Sequence, residues 1–332
     1  MSFRNSKVVI VGAGNVGSTT AFSIVSQGLC EDVCLIDINK EVAEGQALDM
    51  QDAVYFMNRN MRVHAGGYEE CSDADIVVIT AAAPMPKDSN DRQEMLKPSL
   101  HVVREVVQSV MASGFNGIFV VVSNPVDIMT YYTWRVSGLP AERVIGSGTN
   151  LDTARLCRAL SQMYDLAPAS VEAFVLGEHG DSEIVSWNSA TIGGKRVDDV
   201  LRDNAPRTRG TTREDLRKRT VQAGWDVFSR KGNTCYGIGA SVTAIAKSIL
   251  LDEKSIMPVS VRVDGMYGLN GTFLSVPAIL DHTGVKEIVE IDLQEDELAA
   301  LHKSPELLSS FYGKLDALGV ARGVPGRGGR AP

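Results

Sequence analysis

Several features are scarce in this chain of 332 residues, and each scarcity excludes a class of protein. No run of apolar residues is long enough to span a bilayer, so we do not expect a membrane protein. Lysine and arginine form no dense patch and the formal net charge is -8, which argues against nucleic acid or an anionic membrane as a partner. The 5 cysteines include no CxxC pair and have no ligand spacing to histidine, so we expect no metal site.

The rest of the composition fits a globular protein with room for two domains, since 44% of the residues are hydrophobic and 22% are charged. The scattered cysteines are expected to be free thiols in a reducing compartment. The first residues, MSFRNSK, lead directly into a predicted strand, which we interpret as the absence of a signal peptide. We therefore expect a cytoplasmic protein.

The segment from Lys7 to Asp37 carries the strongest pattern in the sequence. An apolar run, VVIV at residues 8–11, ends in GAGNVG at residues 12–17, and a helical stretch follows. A second apolar run, VCLI at residues 33–36, ends in the single acid Asp37. Strand, glycine turn, helix, strand and carboxylate at this spacing predict a dinucleotide-binding site. A chance GxGxxG run in a loop would lack the strands, the helix and the acid.

Each glycine of this turn has a separate task in the predicted site. Gly12 allows the tight turn, Gly14 lets backbone amides approach a pyrophosphate, and Gly17 lets the helix pack close to the strand. The helix N-terminus then offers free N–H groups and partial positive charge to the phosphates. Asp37 is placed to accept hydrogen bonds from both ribose hydroxyls. Because no arginine follows it, NAD is favoured over NADP.

Further apolar runs follow at the spacing of an alternating β/α fold. The run at residues 76–79 ends at Thr80, the run at residues 118–122 is followed by Ser123 and Asn124, and a short run ends at Gly146. Continuous β-branched runs predict parallel strands that are buried on both faces, with ligands at their carboxyl ends. The first half is therefore predicted to be an α/β fold with a Rossmann doubly wound parallel sheet. The candidate cofactor-binding residues are Gly12, Gly14, Asn15, Val16, Gly17, Asp37, Thr80, Ala81 and Asn124.

The pattern changes after about residue 146, where shorter strand-like runs occur at residues 171–175 and 183–192. Gly193 and Gly194 predict a hairpin turn after the second run. Thr211 and Glu214 have the spacing of a capping box, which predicts a helix that ends at Lys231 and Gly232.

Residues 296–318 predict an amphipathic helical region with a kink or break at Pro305. The second half is thus predicted to be an α+β substrate domain. We expect an NAD-binding domain at residues 1–146, the substrate domain at residues 147–320 and a disordered tail at residues 321–332, which is composed almost entirely of Gly, Pro, Arg and Ala.

Three polar residues of the second half are candidates for chemistry. Asp152 and Arg155 have i,i+3 spacing on a predicted helix and therefore share one face. His179 lies between glycines in LGEHGDS at residues 176–182. On spacing alone, a solvated helix pair and a turn histidine are the simpler interpretations of these residues.

Several motifs in this order resemble the L-lactate and malate dehydrogenase family: GAGNVGS, SNPVDI, GSGTNLDTAR, GEHGDSE and GNTCYGIGAS. The resemblance covers residues 7–318. It implies that His179 is the general acid/base, that Asp152 holds and charges this histidine, and that Arg155 binds the substrate carboxylate. It further implies roles around the substrate for Asn124, Arg92 and Thr234, and a cis peptide bond between Asn124 and Pro125.

The chemistry implied by the resemblance explains these residue types. Reduction of a 2-oxo acid needs a hydride on carbon, which NADH supplies, and a proton on oxygen, which imidazole can donate near neutral pH. A carboxylate at Asp152 fixes the tautomer of His179, and Arg155 can hold a carboxylate through two parallel N–H bonds. Arg92 would stabilise the charge that develops on the carbonyl oxygen when the polar loop at residues 83–91 closes.

This loop should decide the substrate. Lactate dehydrogenases of the family carry glutamine in it and malate dehydrogenases carry arginine, whereas this chain has Met85 or Pro86, depending on the direction of counting. Neither side chain can pair with a second carboxylate, although the nearby Lys87 could. The apolar residue, a longer loop and Gly237 predict room for a larger apolar side chain.

Residues 91–92 and 113–128 are similar to the L-2-hydroxyisocaproate dehydrogenase branch of the family. The main prediction is therefore an NAD-dependent L-2-hydroxyacid dehydrogenase that prefers branched or aromatic 2-oxo acids. The alternative is L-lactate dehydrogenase proper, acting on pyruvate and lactate. Malate dehydrogenase, a non-catalytic NAD-binding sensor and an NAD-dependent glycoside hydrolase are less favoured. The last needs a metal held by Cys and His, and the sequence shows no such set of residues.

The resemblance also implies an oligomer. Members of the family form dimers and tetramers through the helix after Asp37, which is represented here by residues 41–56 with apolar residues on more than one face. We expect a homotetramer, with a homodimer as the alternative.

Overall fold

The computed structural model describes residues 6–83 and 92–317, and the account below refers to these ranges. In the first half, strands and helices alternate as the sequence predicts. The continuous β-branched runs form the strands and are buried on both faces. The elements are β1 (Lys7–Val11), α1 (Asn15–Gln27), β2 (Asp32–Ile36), α2 (Lys40–Val54), β3 (Arg62–Ala65), β4 (Ile76–Ile79), α3 (Arg92–Ala112), β5 (Ile118–Val121), α4 (Val126–Ser137) and β6 (Val144–Gly146).

The second half mixes helices with short and long strands, as expected for an α+β arrangement. Its elements are α5 (Asn150–Tyr164), β7 (Val171–Glu172), β8 (Val175–Leu176), β9 (Ile184–Val185), β10 (Thr191–Ile192), β11 (Lys195–Arg196), α6 (Val197–Asp203), α7 (Ala205–Thr208), α8 (Arg213–Lys231), α9 (Tyr236–Leu250), β12 (Ser255–Asp264), β13 (Asn270–Asp281), β14 (Gly284–Ile288), α10 (Glu295–Leu301) and α11 (Lys303–Ala317).

The main sheet has the order β14-β13-β12-β6-β5-β4-β1-β2-β3. Strands β1 to β6 are parallel, and the direction of winding reverses between β1 and β4, which confirms the predicted doubly wound Rossmann sheet. Such a reversal places a crevice at the carboxyl ends of the central strands. The predicted dinucleotide turn lies at this position, directly after β1.

Three antiparallel strands, β12 to β14, extend the sheet beyond β6, and the sequence analysis did not identify them. Ser260 of β12 pairs with Gly146 of β6, so the sheet is continuous across the domain boundary proposed at residue 146. Pro258 and Pro277 face each other in the β12–β13 pair, and proline within a run weakens the sequence signal for a strand. The division into two domains at residue 146 stays a prediction.

The local predictions in the second half need three corrections. The run at residues 183–192 forms two short strands, β9 and β10, although the turn at Gly193 and Gly194 is confirmed by the pairing of β10 with β11. The capping box is formed by Thr212 and Asp215, one position later than predicted. The helical break lies at His302, because Pro305 occupies the first turn of α11, where a missing N–H is tolerated.

Two apolar cores support this arrangement. The larger core is formed by the main sheet and the helices on its faces. A smaller core joins α5 and α8 to the short strands around residues 171–197, and it includes Leu156, Leu160, Val175, Trp187 and Leu216. Helix α5 therefore contributes its apolar stripe to the smaller core and leaves its polar face for the site described below.

Two further expectations concern the whole chain. All 5 cysteines fall in the described ranges and carry free thiols, as predicted. Within the same ranges, no helix combines the length and apolar character needed to cross a membrane. The predicted tail at residues 321–332 and the loop residues 84–91 lie outside the described residues.

Candidate active site

The glycine turn after β1 is packed so closely that two of its glycines leave no room for a side chain. Gly12 has a φ of 108°, and a Cβ at this position would lie 2.7 Å from the backbone nitrogen of Ala81. A Cβ at Gly17 would lie 1.8 Å from the carbonyl oxygen of Gly12. Thr80 holds the turn in place by donating a hydrogen bond to the Gly12 carbonyl oxygen over 2.7 Å. These contacts explain why the end of β4 meets the end of β1.

Gly14 is different, because a Cβ there would meet nothing within 4 Å. It is the N-cap residue of α1, it makes no side-chain cap hydrogen bond, and the first turn of the helix contains no acid. Asn15 is exposed and Val16 is half-buried beside it. An uncapped helix N-terminus with open space beside it suits the close approach of a pyrophosphate, so these residues fit a bound dinucleotide.

Asp37 lies at the end of β2, as predicted, and its carboxylate is fixed by two backbone amides. Ala13 N–H donates to Oδ2 over 2.7 Å, and Asn39 N–H donates to Oδ1 over 2.8 Å. The next residue, Ile38, is fully exposed, and the side chain of Asn39 caps α2. No guanidinium therefore follows the carboxylate in sequence to receive a 2′-phosphate, which agrees with the predicted preference for NAD.

Three of the predicted catalytic and substrate-binding residues meet on the polar face of α5. His179 Nδ1 lies 2.7 Å from Asp152 Oδ2, and Arg155 donates from Nη1 to Asp152 Oδ1 over 2.7 Å. The Asp152 side chain is only 2% exposed, whereas that of His179 is 30% exposed. One buried carboxylate thus binds an imidazole with one oxygen and a guanidinium with the other. With Nδ1 engaged, Nε2 is the ring nitrogen left for a ligand.

These contacts shift the charges of the pair. Burial opposes the charged form of His179, but the charge and hydrogen bond of Asp152 outweigh it and raise the pKa of the imidazole to about 9. Burial also opposes ionisation of Asp152, but His179 and Arg155 hold the pKa of this carboxyl below its usual value. The arrangement therefore favours an imidazolium that is paired with a carboxylate.

Asp127 holds the backbone of His179, and this role was not predicted from the sequence. His179 N–H donates to Asp127 Oδ2 over 2.8 Å, and Ser260 Oγ donates to Asp127 Oδ1 over 2.5 Å. Burial raises the pKa of the Asp127 carboxyl to about 6, although both hydrogen bonds oppose this shift. Asp127 lies in the quoted motif SNPVDI, but only the tertiary structure shows which residue it contacts.

A cavity lies in front of the three charged side chains, and Thr234 lines it as predicted. A Cβ at Gly224 would lie 3.2 Å from the guanidinium of Arg155, so the absence of a side chain leaves room for this group. Trp225 and Phe228 contribute apolar surface to the wall of the cavity. Glu183 also lines it, and the sequence analysis quoted this residue only as part of a motif.

The remaining predicted site residues are Asn124, Arg92, Met85 and Pro86. Asn124 is exposed at the carboxyl end of β5, and the peptide bond between Asn124 and Pro125 is cis, as expected. Arg92 is the first residue of α3. Met85 and Pro86 lie outside the described residues.

Comparison with known proteins identifies the family. A family model described as the lactate/malate dehydrogenase, NAD binding domain matches residues 6–146. A second, described as the lactate/malate dehydrogenase, alpha/beta C-terminal domain, matches residues 149–315. The chain belongs to the lactate/malate dehydrogenase family.

Individual relatives within the family cover nearly the whole chain. L-lactate dehydrogenase 3 of Bacillus cereus is 45% identical over 311 residues, which cover 94% of this chain and 98% of the relative. L-lactate dehydrogenase 1 of Bifidobacterium longum subsp. longum is 46% identical over 308 residues, covering 93% and 97%. The structure of a minor L-lactate dehydrogenase from Enterococcus mundtii in the ligands-bound form has a TM-score of 0.89 at 41% identity, covering 94% of this chain and 99% of that one.

As a member of this family, the protein is an NAD-dependent oxidoreductase that acts on a CH–OH group. The dinucleotide turn predicted from the sequence is therefore the coenzyme region of a dehydrogenase. The predictions of a non-catalytic sensor and of a glycoside hydrolase are not supported by these matches.

The fold also brings together donor side chains that sequence spacing did not pair. Within the described ranges, Cys34, His64 and Glu70 each place a donor atom within 4.8 Å of the others. Glu70 already accepts a hydrogen bond from Lys7 Nζ over 2.7 Å, and His64 Nε2 lies 3.0 Å from Asp32 Oδ1. Glu70 is thus engaged in an ion pair with Lys7, and the expectation that this dehydrogenase needs no metal stays a prediction.

Substitutions of Gly14 and Gly17 should differ in their effects on NADH binding and on stability. Gly14→Ala should weaken NADH binding at least about tenfold, because the new methyl group fills the space for the pyrophosphate, while the free energy of unfolding changes by less than about 1 kcal/mol. Gly17→Ala should instead destabilise the fold by about 1–3 kcal/mol, because its Cβ meets backbone. Fluorescence titration with NADH and chemical denaturation measure the two effects. Unchanged NADH affinity in Gly14→Ala would contradict the proposed position of the pyrophosphate.

Proposed function

We propose that this protein is an L-lactate dehydrogenase, which reduces pyruvate to L-lactate with NADH and catalyses the reverse reaction. The observation that carries the proposal is the contact of one buried carboxylate, Asp152, with both His179 and Arg155 at 2.7 Å. The names of the relatives at 45–46% identity support the same activity. A 2-oxo acid presents a carboxylate and a carbonyl oxygen, which are the groups that a guanidinium and an imidazolium bind.

Each side chain has a separate task in this proposal. Bound NADH supplies the hydride to the carbonyl carbon. Arg155 binds the substrate carboxylate, and His179 donates the proton from Nε2 to the carbonyl oxygen. Asp152 keeps the imidazole oriented and charged until that transfer. Asn124 and Thr234 are proposed to contact the substrate region.

Arg92 is proposed to stabilise the charge on the carbonyl oxygen, as the family resemblance implies. In the structure, Arg92 is the first residue of α3. Met85 and Pro86 keep their proposed role as the specificity positions of the loop.

The preference for bulky side chains that the sequence favoured is not confirmed, and the alternative of pyruvate is better supported. The relatives that cover nearly the whole chain are named L-lactate dehydrogenases. Gly237 gives no support for a deeper pocket, because a Cβ at this position would point at Leu151, 3.0 Å from its Cδ1 atom.

The substrate panel is the direct test of this proposal. We expect the highest kcat/KM with pyruvate, lower values with 2-oxoisocaproate and phenylpyruvate, and the lowest with oxaloacetate. One misplaced methylene group costs about 1–3 kcal/mol in an apolar pocket, so kcat/KM for these larger substrates should be at least about 10-fold lower than for pyruvate. Steady-state kinetics at fixed NADH measure this order. A higher kcat/KM with 2-oxoisocaproate would restore the bulky-substrate interpretation.

The pH dependence of the two directions should be opposite. Reduction needs charged His179, so kcat/KM should be level at neutral pH and fall as the pH rises through the pKa of about 9. Oxidation needs the neutral imidazole, so its kcat/KM should rise up to the same pH.

Asp152→Asn should move both midpoints toward the ordinary histidine value of about 6.5. His179→Asn should lower kcat about 10²–10⁴-fold in both directions. Midpoints that do not move in Asp152→Asn would contradict the assigned pair.

We also propose that the protein is a homotetramer, with a dimer as the smaller alternative. Helix α2 and the residues that follow it expose several apolar side chains, which include Val42, Leu48, Tyr55 and Phe56. Phe22 of α1 is also exposed beside them. A second copy of the chain would bury these side chains.

Sedimentation velocity tests the oligomer. We expect a mass of four chains for the wild type and a smaller species for Leu48→Glu, because a charge in an apolar interface is costly to bury. Leu251→Glu, at a similarly exposed leucine after α9, is the matched control and should leave the mass unchanged. A monomeric wild type would contradict the proposal.

A further inference from the structure

Glu183 is the group in this site that the proposed reaction leaves unexplained. It immediately precedes β9, lines the cavity with His179, Asp152 and Arg155, and is only 3% exposed. One of its carboxyl oxygens lies within 4.8 Å of the donor atoms of His179 and Asp152. Its Oε1 atom is buried, and no group in the described ranges forms a hydrogen bond with it. A buried carboxyl oxygen without a partner is costly, which calls for a functional reason.

The charges around Glu183 come from every element that packs near it. Helix α5 contributes Asp152 and Arg155, the loop after β8 contributes His179 and Asp181, and α8 contributes Arg217. Asp127 of α4 lies behind the histidine, at its backbone N–H. Asp152 contacts both His179 and Arg155. In this group of three, the imidazolium and Arg155 carry two positive charges and Asp152 carries one negative charge. An ionised Glu183 would neutralise the positive charge that is left.

We propose that Glu183 is a positioning residue for proton transfer, whose negative charge keeps the imidazole of His179 protonated without a hydrogen bond to it. The proposal rests on the proposed function, in which His179 carries the proton. It adds a second carboxyl group to the pair formed by His179 and Asp152.

The physical basis is a coupled titration in a buried site. Burial and the neighbouring charge of Asp152 raise the pKa of Glu183 to about 8, close to that of the imidazole, so the two groups titrate as a coupled pair. Once ionised, it stabilises the positive charge on His179, because charges interact strongly through a low-dielectric interior. Without it, the imidazole should lose its proton at a lower pH.

The test uses the full chain and reads the histidine directly. Carbon-13 labelling at Cε1 of the histidines, with His179 assigned by its loss in His179→Gln, gives the titration of this side chain without any substrate. Glu183→Gln keeps the shape of the side chain and removes its charge. We expect the His179 midpoint to fall by about one pH unit, a size typical of a nearby opposite charge.

A second carboxyl group of the same loop supplies the matched control. Glu178 is half-buried and accepts a hydrogen bond from the Ser182 hydroxyl, and the main charges that raise the pKa of His179 are those of Asp152, Glu183 and Asp127. Glu178→Gln removes the same charge from the same loop and should leave the His179 midpoint within about 0.3 units. An equal shift in both variants would overturn the specific role of Glu183.

The kinetic readout separates this proposal from the proposed function. In Glu183→Gln, the alkaline fall of kcat/KM for pyruvate reduction should move down by the same one unit. An unchanged histidine titration in a folded Glu183→Gln protein overturns the proposal. A shifted titration with an unshifted rate profile keeps the charge coupling but contradicts His179 as the proton donor.

A structural role alone is tested by a shorter carboxylate. Glu183→Asp retains the charge but moves it one methylene farther from the imidazole, so we expect a downward shift smaller than that of Glu183→Gln. If Glu183→Gln does not fold, Glu183→Ala, which also removes the charge, provides the decisive measurement. A His179 midpoint equal to that of the wild type would then overturn the proposal.

Discussion

The site depends on one buried carboxylate that is shared between two cations. Asp152 is withdrawn from solvent, and its two oxygens bind Arg155 and His179 at the same distance of 2.7 Å. Removing either cation would leave negative charge in a low-dielectric interior, so the three side chains stabilise one another as a unit. The same interaction orients a guanidinium and an imidazole toward one cavity, which is the arrangement that a 2-oxo acid requires.

The rest of the fold serves to bring this unit and the coenzyme crevice to one edge of the sheet. The first half supplies the crevice, and the close contact between Gly12 and the end of β4 holds the glycine turn beside it. The second half adds β12 to the same sheet, and its Ser260 holds Asp127, which in turn holds the backbone of His179. This chain of hydrogen bonds links the extended sheet to the histidine loop and limits the positions that the imidazole can adopt.

Much of the fold could be predicted, because its signals are local. Continuous β-branched runs predict buried parallel strands, and glycines after a strand predict the turn that the structure contains. The strands β12 and β13 were missed because Pro258 and Pro277 weaken a pattern that only pairing between distant residues makes favourable. The short strands around β9 and β10 depend in the same way on the packing of the smaller core.

Three features could be identified without the structure: the coenzyme turn, the shared helical face of Asp152 and Arg155, and the family motifs. Each of these depends on residues that are close in the chain, where spacing fixes geometry. The packed fold was needed to show that His179 reaches Asp152, that Ser260 reaches Asp127, and that Glu183 is buried beside them. These contacts join residues 27 and 133 positions apart, so they depend on how the sheet and helices pack and not on any local pattern.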